Sequence, residues 1–413
     1  MDIIKKYDNG LTLIVSEGGA LSCSFAIMVG TGSVNERADN NGISHYIEHM
    51  NFKGTDNYSS FDISEIMDTN GANFNAYTST ESTCYYAQTI KDSLERVFSL
   101  MSEMVFASKY SDDEAQREKD VIIEEINMSE DSPDDVCADL ASLAFFGNYG
   151  YGRTILGSRE NVSSFTKQDV LNYLNDFYVA ENIVITFAGN VDLKECENLI
   201  SKYVLPMIRV GKKAETPIHN TVNKRQFLSK DKDIEQVHFN LNFPSLSYVD
   251  RNRLKSEMAV NILGGGMSSR LFRKVREELG LAYSIYSYAS RFKDVGVINI
   301  CTGLNSEKVD LGFNAVIETI DDMVKNGITD AEYIKVKNSL KSSTIFSLEK
   351  PSSKVQLFSK YYLMTGKLYN FEERIKALDS VTKKDIEEAT KELNKYDMST
   401  AVVGKKVSPL KIY

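Results

Sequence analysis

The strongest constraint on this chain is that its order of periodicities is written twice. In the first half an alternating strand, Ser24 to Gly30, is followed by a polar loop and a helix around His45 to Met50. A second helix runs from about Phe61 to Thr69 and is closed by Asn70-Gly71. Strand-like Ala72 to Thr78 and Thr83 to Gln88 come next, then an amphipathic helix, Leu94 to Phe106. In the second half His238 to Phe243 is the strand, Lys255 to Leu263 the first helix, and Leu271 to Leu279, stopped by Gly280, the second. Strands Ala282 to Tyr288 and Val297 to Cys301 and the helix Lys308 to Met323 complete it. The order β-α-α-β-β-α recurs at an offset of about 210 residues, which predicts two similar α+β domains. The polar, poorly periodic stretch around Gly211-Lys212-Lys213 and Pro217 separates them, giving domains over 1–210 and 226–413 with a linker over 211–225.

Composition narrows the class further. With 413 residues, 42% of them hydrophobic and only 6 proline, the chain has ample material for folded cores. The 48 basic residues are outweighed by 58 acidic ones, a net charge of -10, so neither nucleic acid nor an anionic membrane surface is expected as a partner. The 5 cysteines, Cys23, Cys84, Cys137, Cys196 and Cys301, are odd in number and far apart, which fits neither a disulfide framework nor a cysteine-based zinc motif and suggests a reducing compartment. No apolar h-region follows Lys5-Lys6, and runs such as Ile183 to Ala188 fall far short of the ~18 residues that span a bilayer. A soluble, cytoplasmic and prokaryotic protein is the expectation.

The chemistry is concentrated in one window, His45-Tyr46-Ile47-Glu48-His49, which holds two of only 4 histidines. On a helix, positions i, i+3 and i+4 share a face, so both imidazoles and the carboxylate point into the same space. Two neutral imidazoles suit Zn²⁺, and a carboxylate beside them that is not a ligand can take a proton from the attacking water and pass it to a leaving amine. This is the inverse of H-E-x-x-H. A catalytic zinc needs a third protein ligand, and the acidic helix predicted over Glu114 to Glu130 offers Glu118 and, two turns on, Glu124 or Glu125. Spacing does not choose between the last two, and without the histidines these acids would read as a solvated face.

The segment from His45 through Met50-Asn51-Phe52-Lys53-Gly54-Thr55 closely resembles the zinc motif of the pitrilysin/insulinase metallopeptidases, in particular the branch containing mitochondrial processing peptidase. Glu118-Lys119-Asp120-Val121-Ile122-Ile123-Glu124-Glu125 resembles that family's third-ligand helix, in which the ligand lies seven residues after the first glutamate. The resemblance therefore implies Zn²⁺ held by His45, His49 and Glu125, with Glu118 supporting the site and Glu48 as general base and acid. Gly71-Ala72-Asn73-Phe74-Asn75-Ala76-Tyr77-Thr78 matches the family's edge strand, which implies that Asn73, Asn75, Ala76, Tyr77 and Thr78 receive an extended substrate by backbone pairing. Leu263 to Phe272, followed by Arg276-Glu277-Glu278-Leu279-Gly280-Leu281-Ala282-Tyr283, is similar to the C-terminal signature, implying that Arg276 and Tyr283 hold the substrate carbonyl.

The family's fold implies two homologous domains facing each other as a clamshell around a cavity, with zinc in the first alone. Consistently, Ala259 to Gly264, which aligns with the histidine motif, contains neither histidine nor glutamate. Asn51 departs from the pattern, standing where relatives carry an apolar residue. The expected activity is zinc-dependent endoproteolysis of extended or unfolded peptides. A homodimer is the expected assembly and a monomer the alternative. Relatives that serve as non-catalytic subunits have degraded metal motifs, whereas both signatures are intact in this chain. The acidic runs Asp112-Asp113-Glu114, Glu130-Asp131 and Asp134-Asp135 read as solvated helix ends, with a site that favours basic peptides as the alternative if they line the cavity.

Overall fold

A computed structural model describes residues 1–215, 222–223 and 225–405. Much of the expected linker, including His219, lies outside the described residues. The elements run β1 (Asp2–Lys6), β2 (Thr12–Glu17), β3 (Ser22–Val29), α1 (Ile43–Met50), α2 (Ser60–Thr69), β4 (Asn73–Thr78), β5 (Thr83–Ile90), α3 (Leu94–Phe106), α4 (Asp112–Asp131), α5 (Pro133–Phe146), α6 (Arg159–Ser164), α7 (Lys167–Phe177), β6 (Ile183–Gly189) and α8 (Leu193–Tyr203). They continue with β7 (Phe227–Asp231), β8 (Gln236–Ser245), α9 (Arg253–Gly264), a π-helical segment (Phe272–Glu278), β9 (Ala282–Arg291), β10 (Gly296–Asn305), α10 (Val309–Asn326), α11 (Asp330–Glu349), α12 (Pro351–Thr365), α13 (Phe371–Ser380), α14 (Lys383–Ala389) and β11 (Ser399–Gly404).

The repeat is borne out at the level of topology. One sheet has the order β1-β2-β6-β3-β5-β4 and the other β7-β11-β8-β10-β9, so the second repeats the last five strands of the first. In both, the first pair of this shared order is parallel, β2 with β6 and β7 with β11, and the remaining pairs are antiparallel, including the additional β1 with β2. The α+β class with two like units is therefore observed. Phe25, Phe98 and Phe187 meet in the first core with ring centroids 4.9–5.9 Å apart, and Phe239, Leu241, Ile300 and Phe313 centre the second.

Each compact unit is assembled from three stretches of chain rather than from one contiguous half: Met1–Ile126, Thr154–Ile218 and Ile345–Tyr369 form the first, and Asn127–Arg153, His219–Thr344 and Asn370–Tyr413 the second. The physical reason lies in the sheets, whose central strands bury both faces. Ile183 to Gly189 is buried at every position, which accounts for its continuous apolar run. One face of the first sheet is covered by its own α1 and α3, and the other by α12, whose Val355 packs with Ala26, Met28, Cys84 and Ala188. Ser359 on α12 also hydrogen-bonds Thr186 at 2.7 Å. Reciprocally, Val136, Cys137 and Ala141 of α5 pack on Ala401 and Val403 of the second sheet. Each unit thus takes one covering helix from the other half of the sequence.

Candidate metal centre

Helix α1 is placed by its apolar face and by an unusual cap. Ile43, Tyr46, Ile47 and Met50 enter the core of the first unit. The N-cap residue is Gly42, with φ 102°, and it has no side chain to accept the first amides. Glu36, buried in the preceding loop, does so instead. Its Oε1 accepts from Ser44 N at 2.9 Å, and its Oε2 accepts from Gly42 N and Asn41 Nδ2, each at 2.8 Å. Burial pushes the Glu36 carboxyl up, and these donors oppose the rise. A carboxylate at this end also suits the helix dipole.

His45, Glu48 and His49 project from α1, and α4 brings Glu118 and Glu125 to them. Buried Glu118, Ile122 and Ile126 form the inner face of α4. One donor atom each from His45, His49 and Glu125 lies within 4.8 Å of the others. Glu125 Oε2 is 3.6 Å from His45 Nε2 and 3.5 Å from His49 Nε2. Donors held ~2.1 Å from a tetrahedral zinc stand roughly 3.4 Å apart, so these separations fit the ion.

The electrostatics fit it as well. Burial, then His49, push the His45 pKa down to about 3, so that this imidazole is neutral and its contact with Glu125 is not an ion pair. His49 Nδ1 is 2.8 Å from Glu118 Oε1, and with Nδ1 donating, its Nε2 lone pair faces Glu125. Burial opposes charge on His49, but Glu118, Glu48 and Glu125 together raise its pKa. Lys53 Nζ holds the other Glu118 oxygen at 2.7 Å. For Glu118 burial works upward, and His49 and Lys53 outweigh it and hold the carboxyl below its ordinary value. Three lone-pair donors converge here, His45 buried and His49 and Glu125 half-buried, and two imidazoles with a carboxylate are a zinc donor set.

Glu48 stands aside from the three donors. It is 9% exposed, and burial pushes its pKa up against the hydrogen bond from Thr78 Oγ1, 2.5 Å from Oε2. A carboxylate raised in this way is a better proton acceptor near neutral pH. Thr78 ends β4, the outermost strand, which pairs with β5 alone among the described residues. Of the edge-strand residues Asn73, Asn75, Ala76, Tyr77 and Thr78, the last ties the strand to Glu48, and the Ala76 N–H is covered by Asn75 Oδ1 at 2.8 Å.

Arg276 and Tyr283 belong to the second unit, where the structure brings them to each other. The Arg276 guanidinium lies 5.1 Å from the centre of the Tyr283 ring and 4.7 Å from that of Phe272. Tyr283 is 82% exposed. The segment carrying Arg276 is π-helical rather than the α-helix that periodicity suggests, and it ends with Leu281 N bonded to Val275 O and with Gly280 at φ 58°.

Sequence reasoning missed Glu36 and Lys53 as supports of the site. Glu36 lies six residues before the helix cap and carries no helical signal, although a glycine cap with no side chain was a cue that the acceptor must come from elsewhere. Asn51 proves to be a hub. It is fully buried, donates from Nδ2 to Tyr85 Oη at 2.8 Å and accepts from Tyr110 Oη at 2.6 Å, while Tyr85 also meets Tyr178 at 3.0 Å. An apolar residue there would strand these phenols.

Comparison with known proteins shows which family the chain resembles along its length. The family described as Insulinase (Peptidase family M16) matches residues 12–159, and the Peptidase M16 inactive domain matches 164–340. The "Uncharacterized zinc protease YmxG" of Bacillus subtilis is 35% identical over 409 residues, covering 97% of this chain and 98% of that protein. The "Uncharacterized zinc protease Rv2782c" of Mycobacterium tuberculosis is 32% identical over 386 residues, covering 93% and 88%. A solved protease from Helicobacter pylori shares the fold with a TM-score of 0.90 at 21% identity, covering 98% of this chain and 99% of its own. No helix among the described residues is long and apolar enough to cross a membrane. With relatives of this identity aligned along nearly its whole length, the chain belongs to the M16 (pitrilysin/insulinase) family of zinc metallopeptidases.

Proposed function

We propose that the protein is a zinc endopeptidase that cuts extended or unfolded peptides, in the manner of the processing-peptidase branch. The observation that carries this reading is the convergence of His45, His49 and Glu125 beside a raised Glu48 that is tied to the outermost strand by Thr78. Bound zinc supplies Lewis acidity toward a scissile carbonyl and its attacking water. His45 and His49 act as neutral nitrogen ligands and Glu125 as the anionic one. Glu118 fixes the tautomer of His49. Glu48, oriented by Thr78, accepts the proton of the attacking water at Oε1 or Oε2 and delivers it to the departing amine. Backbone groups of β4 from Asn73 to Thr78 pair with the substrate strand, and Arg276 with Tyr283 hydrogen-bonds the carbonyl oxygen as charge develops on it. The working assembly is a homodimer in the cytoplasm.

The test is Glu48→Gln. Zinc content at about one ion per chain should persist, while cleavage of unstructured peptides falls by about 10²–10⁴-fold. Substantial activity in that variant would reject Glu48 as the base. No zinc in the metal-replete wild type would reject the reading as a whole.

A further inference from the structure

The outermost strand β4 presents two sets of side chains. Phe74 and Ala76 turn into the main core of the first unit, while Tyr77 packs on the opposite face with Val355 of α12. Because side chains alternate along a strand, Asn73 and Asn75 share the face of Tyr77. On that face the first unit has a cavity of about 400 Å³, lined by Asn73 and Asn75 of β4, Tyr86 and Gln88 of β5, and Ser352, Ser353 and Gln356 of α12. The lining contains hydrogen-bonding groups throughout and not one carboxylate, ammonium or guanidinium.

We infer that this cavity is a specificity pocket for uncharged hydrogen-bonding side chains, such as those of Asn, Gln, Ser and Thr, on a peptide strand bound at β4; it rests on the peptidase reading above. A strand added beside β4 continues the alternation of the sheet, so every second residue directs its side chain to the α12 face and into the cavity. An amide or hydroxyl there can exchange water for Asn73, Gln88 and Gln356. A charged side chain finds no counter-charge, and an aliphatic one leaves amides unpaired; both lose affinity. Selection in this pocket acts at alternate positions only, whereas backbone pairing accepts any sequence.

The experiment uses zinc-loaded protein and unstructured peptides varied at one residue and at the residue two further along, each rate being divided by the same enzyme's rate on the alanine peptide. The chain contains 0 tryptophan, so one tryptophan in each peptide reports binding separately from cleavage. Wild type should favour Asn, Gln, Ser or Thr over Lys, Glu and Leu by about tenfold at such alternate positions. Gln356→Glu should shift the preference toward Lys, and Gln356→Lys toward Glu, by a similar factor, while Lys360→Glu, an exposed change elsewhere on α12, should move the profile by less than about twofold. A flat wild-type profile, or one unmoved by both Gln356 variants, overturns the pocket. Binding with the expected profile but without cleavage supports the pocket while rejecting the peptidase reading, and neither binding nor cleavage rejects both.

Discussion

Glu118 lies between His49 and Lys53, 2.8 Å from the imidazole Nδ1 through one oxygen and 2.7 Å from the ammonium through the other. It bonds an imidazole of the proposed zinc site and is itself held by a cation. Glu118→Ala removes the acceptor that fixes the ring and leaves Lys53 without this partner. Zinc affinity, measured by competition with a chelator, should fall by about 10–100-fold, with the fold retained by circular dichroism.

Glu36 should matter to the same helix from its other end. Glu36→Gln turns one of its oxygens into an amide donor facing the donors of Gly42, Ser44 and Asn41. The expected loss is about 1–3 kcal/mol in denaturant unfolding, together with weaker zinc binding, because His45 lies in the first turn of α1. Unchanged stability would show that Gly42 does not depend on a distant cap.

Asn51→Leu tests the buried phenol network. Leucine fills the volume but leaves Tyr110 Oη and one bond of Tyr85 unsatisfied, at a cost of about 2–4 kcal/mol in chemical denaturation.

Acid sensitivity of the second unit should be traceable to Glu332. Arg270 reaches both its oxygens at 2.8 Å. Burial alone would raise this carboxyl, but Arg270 and the Thr329 amide hold it down to about 2 from an ordinary 4.5. A folded pKa below the unfolded one stabilises the protein above the unfolded value and loses that contribution as pH falls. The loss should therefore run from about pH 4.5 down to 2 and, with solvent screening of this partly exposed pair reducing the full linkage value, amount to about 2 kcal/mol. Glu332→Gln should show a flatter stability profile across this window.

Much of this molecule was legible because its signals are local. Helix α1 and the one-faced placement of His45, Glu48 and His49 follow from i, i+3, i+4 spacing, and Glu118 and Glu125 follow from two turns of α4. The choice of Glu125 over Glu124 came from family resemblance, and the contacts with both histidines agree with it. The repeat was visible as element order, but the parallel pairs β2/β6 and β7/β11 were not, since they join residues more than 150 positions apart in sequence. Nor does a sequence window reveal the partners of Glu36 and Asn51. The π-helical turns of Phe272–Glu278 share their residue types with an α-helix, and only the stop at Gly280 was readable.

The traded helices α5 and α12 bear on how the chain can mature. Ser359 meets Thr186 across 173 residues of sequence, so the first sheet cannot complete its cover until most of the polypeptide has left the ribosome. A nascent first half would hold Ala26, Met28 and Ala188 open to solvent, a surface suited to chaperone capture or to aggregation. Neither half is then a free-standing folding unit, and the two must be made together for either sheet to be covered.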